Sequence, residues 1–250
     1  MNFGFSEEQS EVQALARQIL TEEVTPEKLV RFDEYQEYRF DADLWAKLSE
    51  AGLLGVAVEE GYGGMGFGFT ELALFIEEQG RTIAPVPLIP HSVSAALPLQ
   101  KFGSAEQKER LLPGVVSGTG LLTAALAEPG SEDPSAPAIT TAVAKSDGYE
   151  VSGRKTCVPF ASAASRILLS AKTDDGVVVL LLDPSAAGVE LTPIQYTTFE
   201  PQFELTLEDV VIAKEDVLAG PKAGAAVMQY AAERTMAAIC AHQVGVTDQS

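Results

Sequence analysis

Two cysteines, two histidines, one tryptophan and seventeen basic residues are little for 250 positions. Cys157 and Cys240 lie far apart and form no C-x-x-C pair, and neither His91 nor His242 has a second ligand at metal-binding spacing, so no metal site is expected. Thirty-six acidic residues against seventeen basic ones leave a net charge of −19. Such a field repels a polyanion and argues against a nucleic-acid partner. Any anionic ligand would need clustered Lys or Arg, or helix N-termini, to offset it. No apolar run approaches the roughly 18 residues of a membrane span, so no membrane partner is expected. Met1 to Glu7 lacks the basic region and apolar core of a signal peptide, which makes a reducing cytoplasm the expected compartment. What the chain does have is 46% hydrophobic residues, enough for a full core in one large or two moderate domains.

Helical patterns come first, strand patterns next, and a helix last, which predicts an α+β chain rather than alternating βαβ units. Residues 1–119 read as an all-α domain. Ser6 with Gln9 forms a capping box ahead of Val12, Leu15, Ala16, Ile19 and Leu20 at helical spacing. Asp41 or Asp43 caps a helix carrying Leu44, Trp45 and Leu48, which Gly52 ends. A helix over about 70–79, a helical stretch near 92–99, and a helix opened by the Ser104/Gln107 box and closed by Pro113-Gly114 complete the domain. Gly61 to Gly68 is glycine-dense. The spacing fits neither G-x-G-x-x-G nor a P-loop, and tight turns between closely crossing helices outweigh a phosphate cradle.

Residues 120–220 read as a small β-barrel domain. Short strand-like runs begin at Leu121, Thr140, Tyr149, Arg166, Val177, Val189 and Phe203, with turn signals at Asp147-Gly148 and Asp174-Asp175-Gly176. Phe203, Leu205 and Leu207 alternate with Glu204, Thr206 and Glu208, as on a half-buried strand. Residues 221–250 read as the first helix of a C-terminal helical bundle cut short at Ser250, with Val227, Met228, Ala231, Ala232, Thr235 and Met236 on its apolar face.

Several short motifs occur in order: Leu-Trp-x-x-Leu-x-x-x-Gly-Leu-Leu-Gly-Val from Leu44, Glu-Gln-Gly-Arg at Glu78 to Arg81, Gly103-Ser104-x-Glu106-Gln107-Lys108, Leu122 to Gly130 ending in Ala-Glu-Pro-Gly, and Gly153-Arg154-Lys155 followed by Cys157-Val158-Pro159. Together they resemble the acyl-CoA dehydrogenase family, and in particular the subunits of actinobacterial heterotetrameric members that act on steroid side-chain CoA thioesters. The resemblance implies FAD as cofactor and an acyl-CoA substrate desaturated between its α and β carbons. It also implies electron-transfer flavoprotein as electron acceptor and a homologous subunit as tetramer partner.

By the same resemblance the flavin-facing positions are Ala125, Leu126 and Ala127 in one strand and Cys157, Val158 and Pro159 in the next. Where the family carries Thr before Glu-Pro-Gly and Trp-x-Thr or Trp-x-Ser after Gly-x-Lys, this chain has Ala127, Cys157 and Pro159. Ala and Pro offer no side-chain donor. Ser131 matches a substrate-binding Ser, and the base implied is Glu233 in a Glu-Arg pair. Anchoring the last helix on Gly245 instead moves the base position to Thr235, about 200° round the helix. Three readings stay open: a dehydrogenase subunit, a non-catalytic partner that completes a relative's flavin pocket, and another flavin chemistry such as an oxidase or monooxygenase.

Overall fold

The computed structural model describes residues 4–34 and 39–249. Of the N-terminal stretch read above for a signal, Met1, Asn2 and Phe3 fall outside these residues, as does Ser250. Helix α1 (Glu7–Glu23) opens on the expected reciprocal Ser6/Gln9 capping box and buries Val12, Ala16 and Leu20 at i, i+4, i+8, while Leu15 stays exposed. Helix α2 (Pro26–Glu34) follows. In α3 (Ala42–Glu50) the Asp41 carboxylate accepts from the Leu44 N–H at 3.0 Å, and Gly52 stops the chain in the left-handed region at φ 77°. Helix α4 (Phe69–Thr82) leads through a Pro-rich turn to a π-helical segment (Ile89–Ala96) and α5 (Leu97–Phe102). Helix α6 (Ala105–Val116) starts at the Ser104/Gln107 box but runs through Pro113, the expected stop, to Val116, with Ser117 as its cap. Pro113 still offers its carbonyl, which accepts from the Ser117 N–H at 3.0 Å.

The middle of the chain forms β1 (Leu122–Ala125), β2 (Thr141–Lys145), β3 (Gly148–Pro159), β4 (Arg166–Thr173), β5 (Gly176–Leu182), β6 (Val189–Ile194), β7 (Gln202–Ala213) and β8 (Val217–Ala219). They hydrogen-bond in the order β6-β7-β3-β2-β4-β5-β8, with β1 added in parallel to β4. The expected small barrel is therefore wrong: this is an open mixed sheet, ending at β6 on one side and β8 on the other. Closing a barrel needs continuous, evenly staggered pairing all round. Here β2 and β4 meet at a single registered pair, Thr141↔Lys172, while β8 is three residues long and β6 carries Pro193. Each antiparallel half folds over a shared apolar core that includes Val151, Phe203 and Leu205 from one side and Ile167, Leu169 and Leu180 from the other.

Strand β3 is longer than its sequence pattern because two bulges break the alternation, one between Val151 and Gly153 and one between Lys155 and Val158. Strand β7 alternates buried and exposed residues as read above.

Helix α7 (Gly224–Gln249) returns across the molecule. Val227 and Met228 pack on the sheet, and Ala238 joins the core of α1, α3 and α4, but Met236 is 68% exposed rather than part of the buried face. Two glycines set the crossing with α4. A Cβ on Gly80 would lie 2.0 Å from the His242 carbonyl oxygen, and one on Gly245 would lie 1.9 Å from that of Glu77. No helix among the described residues is long and apolar enough to cross a membrane.

Candidate active site

Behind β1 the chain passes through Leu126 and Ala127, whose carbonyl accepts from the Thr156 N–H at 3.0 Å. The next residue, Glu128, turns its carboxylate inward. Its Oε2 accepts from the N–H groups of Ala138 and Ile139, both at 2.7 Å, and its Oε1 accepts from the Thr140 N–H at 3.0 Å and the Lys155 ammonium at 2.9 Å. Lys155 is fully buried and also donates to Ser170 Oγ. Burial pushes the Glu128 carboxyl up, but the Ile139 N–H, Lys155 and Thr140 outweigh it and hold it down at about 2. A buried charge with every lone pair answered is a rigid anchor. It ties the Ala-Glu-Pro-Gly turn to β3 and the loop before β2.

The second bulge of β3 puts Cys157 in the left-handed region at φ 54° and turns its thiol outward to the Tyr196 hydroxyl, 2.7 Å away. That bond, more than burial, raises the Tyr196 phenol above its ordinary pKa. Two residues on, the Pro159 carbonyl accepts from the Thr123 hydroxyl at 2.6 Å.

This wall closes one side of a cavity of about 360 Å³. The π-helical segment and the end of α4 form the opposite side, and α7 lies across it with Thr235, Ile239 and His242. π-Helical turns splay side chains that an α-helix would stack. Here Ser94 Oγ reaches back to the Ile89 carbonyl at 3.3 Å and shares a 2.8 Å hydrogen bond with the Thr235 hydroxyl, joining the segment to α7. His91, on the buried side of the same segment, accepts the Leu122 N–H at Nδ1 (3.0 Å) and faces the Val115 carbonyl with Nε2 (3.3 Å), which fixes the Nε2–H tautomer.

Glu200 supplies the carboxylate among the cavity-lining residues. Burial raises its pKa, opposed by the Gln202 amide, which donates to Oε2 at 2.9 Å, and by Arg39. Burial also lowers the pKa of His242.

Of the residues singled out from sequence, Leu126, Ala127, Cys157 and Pro159 come together on the cavity wall. Ala125 and Val158 alternate to the far side and are fully buried in the sheet core. Ser131 sits in the turn after Glu128, exchanging backbone hydrogen bonds of 2.8 and 2.9 Å with it, and does not line the cavity. Glu233 lies on the exposed side of α7 and accepts from the Gln229 amide at 2.9 Å, whereas Thr235 faces the cavity. Sequence reasoning missed Gln79, Ser94, Glu200, Gln202 and His242. Each reaches the cavity through tertiary packing between segments far apart in the chain; Gln79 stands in the Glu-Gln-Gly-Arg motif, but nothing local marks it as facing a cavity.

The match to "Acyl-CoA dehydrogenase, N-terminal domain" covers residues 6–119. The acyl-CoA dehydrogenase FadE27 of Mycobacterium tuberculosis is 34% identical over 197 residues, 79% of this chain and 51% of that protein. FadE28 of the same organism is 35% identical over 70% of this chain and 49% of its own length. The chain thus spans about half the length of these relatives. Among solved structures, the Tcur3481-Tcur3483 steroid ACAD G363A variant superposes with a TM-score of 0.88 at 41% identity, covering 97% of this chain and 64% of that one. The ChsE4-ChsE5 complex from M. tuberculosis gives 0.91 at 29% identity, covering 100% and 66%. Fold, ordered motifs and relatives agree: the chain belongs to the FAD-dependent acyl-CoA dehydrogenase family. Within that family it resembles the subunits of the actinobacterial heterotetrameric, steroid-type enzymes.

Proposed function

We propose that this chain is a subunit of a flavin-dependent acyl-CoA dehydrogenase that desaturates an acyl-CoA thioester to the trans-2-enoyl-CoA. On this reading it works in a tetramer with a homologous subunit and passes electrons to electron-transfer flavoprotein. The observation that carries the reading is the cavity held between the Leu126–Ala127/Cys157–Pro159 wall, the π-helical segment and α7. A mostly apolar cleft with a few convergent polar groups is what an acyl chain and a flat ring system need.

The residues present fit FAD in part. Ala127 and Pro159 offer apolar contact but no hydroxyl, so holding the ring falls to backbone groups of Leu126 and Ala127. Beside Pro159 in register, Gln202 lines the same cavity and donates through Nε2 to Glu200. When bound, the flavin supplies the electron sink for the hydride lost by the acyl chain. The protein must take up the α-proton. We assign this role to Glu200, a reading supported by its place in the cavity beside the flavin wall and by the burial that raises its pKa and so its basicity.

A second reading has its own support. With hydroxyls missing at 127 and 159, and with α7 presenting Thr235 rather than Glu233 to the cavity, the chain is also suited to complete a partner's flavin site without turning over substrate itself. The full-length chain, purified alone and with a homologous subunit, separates the two. Visible flavin absorbance and acyl-CoA-dependent dye reduction by the lone chain would sink the partner reading. In the active preparation, Glu200→Gln should lower turnover by about 100-fold or more with the flavin spectrum retained. Glu233→Gln should lower it only a few fold. Full turnover by Glu200→Gln removes Glu200 as base, and loss confined to Glu233→Gln restores that residue.

A further inference from the structure

The loop 195–201, between β6 and β7, carries Glu200 to the cavity. Residues 195–199 are all exposed, Tyr196 and Phe199 by 38% and 41%, so apolar burial does little to hold this arm. Hydrogen bonds from other segments do the holding. The Phe160 N–H donates to the Pro201 carbonyl and Arg39 Nη1 to that of Thr198, both at 2.9 Å, while Cys157 and the Tyr196 hydroxyl share their 2.7 Å contact. Strain gathers at the same place. Among the described residues Ile83, Cys157, Phe160, Phe199 and Asp209 take a left-handed φ without being glycine, and three of them, Cys157, Phe160 and Phe199, lie in this loop or in the segment it bonds. Such conformations are costly and persist where the surroundings enforce them, most often at functional sites.

Resting on the reading of Glu200 as the base, we propose that Tyr196 and Cys157 are positioning residues: their contact latches the exposed arm onto β3 and so keeps the Glu200 carboxylate in the cavity and away from water. The wall itself stands without the thiol, because the Glu128–Lys155 anchor holds it from behind. What the thiol holds is the arm. Pro201 is tied to Phe160 whatever the arm does, but Glu200 precedes it and follows the arm. The charged and titratable groups about Glu200 are Arg39, Cys157, Tyr196 and, across the cavity on α7, His242, whose own pKa burial lowers. Freeing the arm admits water to the carboxylate and reduces the burial that raises its pKa. Glu200 then ionises at lower pH and is a weaker base.

The test titrates Glu200 in the full-length chain by NMR of isotope-labelled glutamate carboxylates, with Glu200→Gln identifying the signal, and follows the acid limb of turnover in the active preparation. In Tyr196→Phe the Glu200 midpoint should fall by about half a pH unit, and the acid limb should move down with it while the flavin spectrum stays. Cys157→Ala should do the same, and the double variant no more than either single one, because both break one contact. Cys157→Ser, which keeps a hydroxyl for Tyr196, should leave the midpoint in place. A midpoint unmoved in Tyr196→Phe and Cys157→Ala overturns the proposal, as do additive shifts in the double variant. Loss of flavin in Tyr196→Phe overturns it too, by assigning the residue to the flavin wall. Should Tyr196→Phe fail to fold, Cys157→Ala against Cys157→Ser decides. An acid limb that persists in Glu200→Gln rejects Glu200 as base, and the proposal with it; a limb lost in Glu200→Gln but unmoved in Tyr196→Phe rejects the latch alone.

Discussion

His91 is fully buried and must stay neutral, since Nδ1 accepts from Leu122 while Nε2–H points at Val115. Burial holds its pKa down at about 4 against the ordinary 6.5, with the hydrogen bond to the Val115 carbonyl opposing. Between those values the unfolded chain binds a proton that the folded chain refuses. Stability is therefore fully present above 6.5 and lost as pH falls toward about 4, by ~3 kcal/mol in all. Urea unfolding at stepped pH should show that loss, and His91→Gln, less stable at neutral pH, should show a flatter profile across the same window. A profile in His91→Gln as steep as the original would assign the loss elsewhere. Glu128 acts in a lower window, its contribution fading only as pH drops from 4.5 toward about 2. Neither role was legible in the sequence. Glu128 and Lys155 stood out as motif letters, but their pairing depends on a bulged β3 and a loop ten residues away that lends three N–H groups.

At the scale of elements, local chemistry was readable wherever a side chain answers its own helix. The Ser6, Asp41 and Ser104 caps and the Gly52 stop fall where the sequence puts them. Features set by neighbouring segments were not readable: the π-helical turn, the β3 bulges and the run of α6 through Pro113. The crossing of α4 and α7 is the element contact on which the cavity most depends, since Gln79 and His242 sit beside Gly80 and Gly245. A methyl group at Gly245 would meet the Glu77 carbonyl oxygen at 1.9 Å, so the helices must part. Gly245→Ala should cost about 1–3 kcal/mol in chemical denaturation. It should also weaken acyl-CoA binding, whereas a Gly61→Ala control, with open space around it, should do neither.

For the whole molecule, the charge of −19 sets a self-repulsion that salt relieves. The screening length shrinks from about 30 Å at 0.01 M to about 8 Å at 0.15 M. The melting temperature should rise by a few degrees between those conditions, and affinity for a CoA thioester should rise with it. A fall in both would show that local cation pairs such as Arg17–Glu78 dominate instead. The order of helical and strand regions was legible because it depends on periodicity along the chain. Openness of the sheet was not, because closure depends on whether two edges far apart in sequence meet.

The anchor at Glu128 and Lys155 separates where the cavity wall stands from what the wall presents. Its position is fixed by four hydrogen bonds from behind, none of which involves the side chains of Ala127, Cys157 or Pro159. Those three are thus a replaceable facing on a fixed frame. Hydroxyl-bearing residues could be lost or regained at 127 and 159 without rebuilding the sheet, because the frame that holds the wall does not depend on what those positions present.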